Sequence, residues 1–177
     1  MQHIEEIQKY KLLLTASGGQ LEEITKQVLS QLGFKILDAE RGRSDIIAQY
    51  DDVSVVAEIK GVSKSAAEKH AAQLEKWVAQ YIEDNEISPK ALLIVNGFCD
   101  TPLRERTEDV FPHQMLKYCE ARGHALITTT QLLCLYVETQ QNPDCKTERI
   151  RELLSCVGKY PRYQNFSDFL IVNKNGE

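Results

Sequence analysis

The chain has 177 residues, is 42% apolar and 27% charged, and carries a formal net charge of −5. That length is enough for one domain with a sizeable core, and the composition is that of an ordinary globular protein. The negative balance excludes a global field that would pull the protein onto nucleic acid, so any phosphate-binding surface must be local.

The first stretch, MQHIEEIQKYKLLL, carries acids where a secretory leader has its basic region, which predicts a cytoplasmic protein. Ile4, Ile7 and Leu14 suit a marginal helix over residues 1–14, or a linker to something upstream. No stretch approaches the roughly 18 uninterrupted apolar residues of a membrane span, so no membrane is expected.

SGGQLEEITKQVLSQLGF reads as a helix. Ser17 and Gln20 fit a capping box, Leu21, Ile24, Val28 and Leu32 form one apolar stripe, and Gly33 stops it. FKIL reads as a short strand and ERGRS as a polar turn. DIIAQY and VSVVAEIK are two strands joined only by Asp51-Asp52, the signature of a tight hairpin. SKSAAEKHAAQLEKWVAQYIED is a long helix, with Ser65 and Glu68 as a second capping box and Leu74, Val78, Tyr81 and Ile82 as its buried stripe.

KALLIVNGF is a strand apolar enough to be covered on both faces. DTPLRERTEDVF is a polar connection, PHQMLKYCEAR a helix stopped by Gly123, and HALIT a fifth strand. TQLLCLYVETQ is a helix broken near Asn142-Pro143, and a last helix runs from about Cys145 to Cys156. The tail KYPRYQNFSDFLIVNKNGE has no clear assignment. The order α-β-β-β-α-β-α-β-α-α predicts an α/β fold in which a hairpin feeds a crossover, giving a mixed sheet with helices on both faces.

Cysteines 99, 119, 134, 145 and 156 are odd in number and form no CxxC, which predicts reduced core thiols rather than disulfides or a zinc site. Histidines 3, 70, 113 and 124 share no ligand spacing and read as structural or surface residues.

The charge within the third strand is less ordinary, because a buried strand avoids charge at core-facing positions. If Asp51-Asp52 is the whole turn, Tyr50 faces Val53, and stepping outward puts Asp45 opposite Glu58. Residues so opposed have Cβ atoms about 4.5–5.5 Å apart on one face. Lys60, two residues on, shares that face. Two opposed carboxylates at a half-buried sheet end repel and want a cation: Lys60 in part, or a divalent metal held by oxygen ligands. An ordinary Glu58–Lys60 or Asp45–Lys60 ion pair is the alternative.

Asp45 followed by Glu58-Ile59-Lys60 resembles the PD-(D/E)xK motif of the restriction-endonuclease-like nucleases. The helix before it with Leu21-Glu22-Glu23, and the helix after it with Gln73, are similar to that family's α-β-β-β-α-β core over about residues 17–130. Ser44 stands where the motif has proline, a position that varies in the family. The resemblance implies a nuclease core over residues 15–138 and extra C-terminal helices over 139–177. It implies metal-dependent phosphodiester hydrolysis, on DNA ahead of RNA, in defence or repair. Asp45 and Glu58 would hold Mg²⁺ or Mn²⁺ with the Ile59 carbonyl, and Glu22 would reach the metal through water, with Glu23 as the fallback. Lys60 would orient water and stabilise developing charge, and Gln73 would point towards the active centre. Glu22 and Glu23 also read as favourable charge in a first helical turn, Gln73 as a solvated helix edge, and Trp77 as a core or interface residue.

Arg41, Arg43, Lys64, Lys69 and Lys76 are candidate phosphate contacts, offset by Asp51, Asp52, Glu68 and Glu75. Arg104 and Arg106 could also reach a phosphate. A recognition domain, a protein partner or a homodimer would then supply what the acidic chain lacks. The competing expectations are a catalytically inactive module of this fold, serving protein interaction or nucleic-acid binding, and a structural metal site without turnover. The presence of Glu22, Asp45, Glu58 and Lys60 together favours the enzyme.

Overall fold

The computed structural model describes residues 9–37 and 44–168. A short helix α1 (Leu12–Thr15) leads into α2 (Gly18–Gln31), followed by strands β1 (Lys35–Leu37), β2 (Ile46–Tyr50) and β3 (Val53–Val62). Helix α3 (Glu68–Asn85) crosses to β4 (Lys90–Gly97), and α4 (His113–Glu120) leads to β5 (Ala125–Thr128). Helices α5 (Thr129–Gln141) and α6 (Lys146–Ser155) precede a two-residue strand, β6 (Gly158–Lys159).

The six strands lie side by side in chain order. β1, β2 and β3 pair antiparallel, and β3 through β6 pair parallel. This is the mixed sheet expected from a hairpin feeding helical crossovers. β6 is the element that the sequence pattern missed. It lies in the segment read as a helical extension, so that segment contributes a sheet edge as well as α6.

Alternation along β3 divides the core in two. Val55, Ala57 and Ile59 face Leu92, Ile94 and Ile127, under the stripe of α2 and the apolar faces of α5 and α6. Val56 faces the other way with Leu93, Val95 and Leu126, under Ala71 and Leu74 of α3 and Met115 and Cys119 of α4. Glu58 and Lys60 share the second face with Val56, because side chains two apart on a strand point the same way.

Helix α2 ends as its sequence predicts. Gly33 takes φ +102°, its N–H donates to the Ser30 carbonyl, and the Phe34 N–H donates to the Leu29 carbonyl, both at 3.0 Å. That is a Schellman stop, which needs a residue free to adopt positive φ. The expected capping boxes do not form. The Ser17 side chain makes no cap bond, and the Ser65 hydroxyl donates instead to the Asp109 carbonyl at 2.8 Å. Helix α3 starts two residues later than the Ser65 box requires, where His70 Nδ1 accepts the Ala67 N–H at 3.0 Å.

The start of α2 is pinned against the end of β3. A Cβ on Gly61 would stand 2.6 Å from the Cβ of Ser17, so only glycine allows this approach. Asn96 donates to the Ala16 carbonyl at 2.9 Å, and Arg106 donates to the Leu14 carbonyl at 2.6 Å and to Asn96 Oδ1 at 3.0 Å. Arg106 therefore binds main chain rather than standing free for phosphate. No helix among the described residues is long and apolar enough to cross a membrane.

Candidate active site

The site is built by the hairpin. Asp51 takes φ +50° in the two-residue turn, a conformation that aspartate tolerates better than most residues. Tyr50 then pairs with Val53, and the ladder runs outward to Ile46 opposite Ala57. This is the register read from the sequence. Asp45 lies one residue beyond the last paired residue of β2, and here the main-chain ladder gives way to a side chain. Asp45 Oδ2 accepts the Ile59 N–H at 2.7 Å. In an antiparallel pair the N–H and C=O of one residue point the same way. The Ile59 carbonyl therefore also faces the β2 side, past the last paired residue of β2.

Lys60 joins the two acids. Its ammonium lies 2.6 Å from Glu58 Oε1 and 3.5 Å from Asp45 Oδ2. Glu58 is only 2% exposed, whereas Lys60 is 31% exposed and opens the group to solvent. The second Glu58 oxygen, Oε2, accepts the indole N–H of Trp77 at 3.0 Å.

Burial pushes the Glu58 carboxyl above its ordinary range, and the charge of Asp45 adds to this, against the opposing effects of Lys60 and Trp77. Burial works against the Lys60 ammonium too, but its bond to Glu58 and the charges of both acids outweigh it, so its pKa is raised. A carboxyl whose folded pKa is raised binds more protons folded than unfolded. Its contribution is fully present below about pH 4.5 and is lost as pH rises through the folded value. Glu58→Gln removes this titration. The stability of the native chain, relative to that variant, should therefore fall from about pH 4.5 towards neutrality. Thermal melts of both chains across that range check it; a parallel pair of curves would contradict it.

The structure brings Asp45, Glu58 and Lys60 together. Glu22 is half-buried on α2, which packs on the opposite face of the sheet. Among the described residues no three acidic, histidine or cysteine side chains converge on a cation-sized site. Glu23 accepts a hydrogen bond from Gln27 at 2.8 Å. Gln73 is half-buried on α3, one turn before Trp77, and it is Trp77 that reaches the acids. Lys64, Lys69 and Lys76 are exposed, with the Lys76 ammonium 4.9 Å from the centre of the Trp77 ring. Arg41 and Arg43 lie outside the described residues, as do residues 1–8.

Trp77 and His70 are the neighbours that sequence reasoning undervalued. The His70 pKa is lowered by burial and by Lys69 and Lys60, which places the imidazole in the field of the site lysine. With Nδ1 accepting the Ala67 N–H, the neutral ring carries its proton on Nε2. The signal available was spacing alone: His70, Gln73 and Trp77 lie on adjacent rows of one helix.

Two other features stand apart. A cleft of about 170 Å³ at the C-terminal ends of β4 and β5 is not lined by Asp45, Glu58 or Lys60. Its Lys159 and Asp109 pair with each other at 2.9 Å, and Arg106 and Gln131 bond main-chain carbonyls. The five cysteines are free thiols, and burial pushes Cys119 up to about 11 and Cys134 to about 12, which makes poor nucleophiles of both.

No protein-family model matches the chain, and no curated protein matches it by sequence. A solved structure is similar in fold: the crystal structure of the small subunit, R.BspD6I2, of the heterodimeric restriction endonuclease R.BspD6I. The two share a TM-score of 0.50 and 19% identity, over 96% of this chain and 97% of that one. At that identity the likeness establishes the fold, a restriction-endonuclease-like mixed sheet flanked by helices.

Proposed function

We propose that the chain is a divalent-cation-dependent nuclease that hydrolyses phosphodiester bonds, with DNA as its substrate ahead of RNA. One observation carries the reading. In a restriction-endonuclease-like fold, a buried Glu58 and an opposed Asp45 meet Lys60 at the open end of a hairpin. The resemblance of these residues to the PD-(D/E)xK motif supports it.

The donor set suits Mg²⁺ or Mn²⁺: two carboxylates and the Ile59 carbonyl, all hard oxygens on one side of β3. Asp45 and Glu58 would hold the ion with that carbonyl, and the apolar packing under Glu58 would keep the carboxylate from turning away. A divalent cation there supplies Lewis acidity towards phosphate and water. Lys60 supplies what the chain itself owns, a partly exposed ammonium that can donate to phosphoryl oxygens as negative charge builds on them. Asp45 keeps that ammonium at the mouth of the site.

Affinity for the polyanion must come from beyond these residues. The chain carries a net charge of −5, and the exposed Lys64, Lys69 and Lys76 are few. The structural neighbour is one subunit of a heterodimeric restriction endonuclease. We extend that arrangement to this chain: a recognition subunit, a fused domain or a second copy brings the nucleic acid.

One observation favours a second reading, a non-catalytic interaction module. Both Glu58 oxygens and Asp45 Oδ2 already hold N–H donors, as a purely structural ion cluster would.

A cleavage panel separates the two. Purified protein is incubated with Mg²⁺, Mn²⁺ or chelator on single- and double-stranded DNA and RNA. Nicking that needs the cation, vanishes with chelator and returns on reloading supports the enzyme. An absence of cleavage together with a flat cation-binding isotherm supports the module, and cleavage indifferent to chelator overturns the cation-dependent reading.

A further inference from the structure

We infer that Trp77 is a positioning residue for the cation site: it holds Oε2 of Glu58, so that Oε1, now on Lys60, is the oxygen a divalent cation takes over. The inference rests on the cation-dependent reading above and assigns a role to a residue that reading does not need.

The two oxygens of Glu58 are held in different ways. The indole N–H, 3.0 Å from Oε2, is a donor only, and it keeps its proton across the working pH range. Trp77 is packed against the α3-side core that contains Val56 and Leu74, and the Lys76 ammonium lies 4.9 Å from its ring centre. Turning the indole away would disturb that packing. Lys60 is 2.6 Å from Oε1, but it stands on a flexible stem that is 31% exposed, and it has a second acid, Asp45, at 3.5 Å. Lys60 can leave Oε1 without opening the core and without losing every partner. Trp77 cannot leave Oε2 so cheaply. The arrangement fixes the carboxylate plane, and it limits exchange to the solvent-facing oxygen. An ammonium displaced from Oε1 stays beside Asp45, at the face where a phosphate arrives.

Removing an outer hydrogen bond to a ligating group commonly lowers metal affinity by about 10- to 100-fold. Titration of the full chain with Mg²⁺ alone, without nucleic acid, should therefore show Trp77→Phe binding at least about tenfold more weakly than the native chain. Trp77 is the single tryptophan, so its indole N–H gives one signal in a ¹⁵N spectrum. That signal should shift on Mg²⁺ addition yet stay protected from solvent exchange, and Glu58→Gln should abolish the shift. Equal Mg²⁺ affinity in native chain and Trp77→Phe overturns the inference. So does an indole signal that saturating Mg²⁺ leaves unmoved, and this measurement decides the matter if Trp77→Phe does not fold. A native chain that binds neither Mg²⁺ nor Mn²⁺ is a different result: it removes the cation-dependent reading itself.

Discussion

Lys60→Ala should lower cation-dependent cleavage by about 100-fold or more, the usual cost of losing a group that stabilises charge in a transition state. The variant should still fold, with a cost. Glu58, only 2% exposed, loses its 2.6 Å partner and keeps its bond from Trp77. Breaking a fully buried ion pair costs about 3–5 kcal/mol. The cost here should be smaller, because Lys60 is 31% exposed and water already screens it. An uncompensated Glu58 also holds its proton more readily, so the stability loss should shrink as pH falls. Circular dichroism and thermal melts establish the folded fraction, and single-turnover cleavage is measured on that fraction. Lys60→Met, which keeps the apolar stem, separates lost charge from lost packing. Cleavage by folded Lys60→Ala at the native rate would place the chemistry elsewhere in the molecule.

Asp45→Asn is the cleaner charge deletion. The amide oxygen of asparagine can still accept the Ile59 N–H that Asp45 Oδ2 holds at 2.7 Å. The hairpin end therefore keeps its bond while the site loses one of two carboxylates. Cation affinity depends strongly on the number of charged ligands, and we expect a loss of about two orders of magnitude. Stability should move by no more than about 1 kcal/mol, the worth of one typical hydrogen bond. Calorimetric titration with Mg²⁺ and Mn²⁺, paired with a melting curve, tests both halves. An unchanged isotherm removes Asp45 from the ligand set. A large drop in melting temperature with cation binding retained would give it a structural role.

The hairpin was the legible part of this site. Two aspartates between apolar strands leave room for only one turn, and the turn fixes the register, so Asp45 and Glu58 could be paired on paper. The helix order and the Gly33 stop were legible for the same reason, since local chemistry decides them. What failed depended on contacts distant in sequence. Ser65 looked like a cap, but the Asp109 carbonyl captured its hydroxyl. Arg106 looked free for phosphate, but the Leu14 carbonyl and Asn96 hold it. β6 has two residues, too few for any alternation to show. The reach of Trp77 to Glu58 depends on how α3 lies across β3, which helical spacing alone does not give.

The carboxylate that stands in for main chain at the end of β2 has an evolutionary consequence. Position 45 supplies an acceptor for the Ile59 N–H and, on the proposed cation-dependent reading, a negative charge; asparagine satisfies the first alone. If the chain cleaves as proposed, a lineage released from that selection could make the exchange early, because the fold would hardly register it. Gly61 has no such freedom, since any larger residue there collides with Ser17. Among descendants of this chain, silent copies should thus be marked by an amide at 45 above an unchanged glycine at 61.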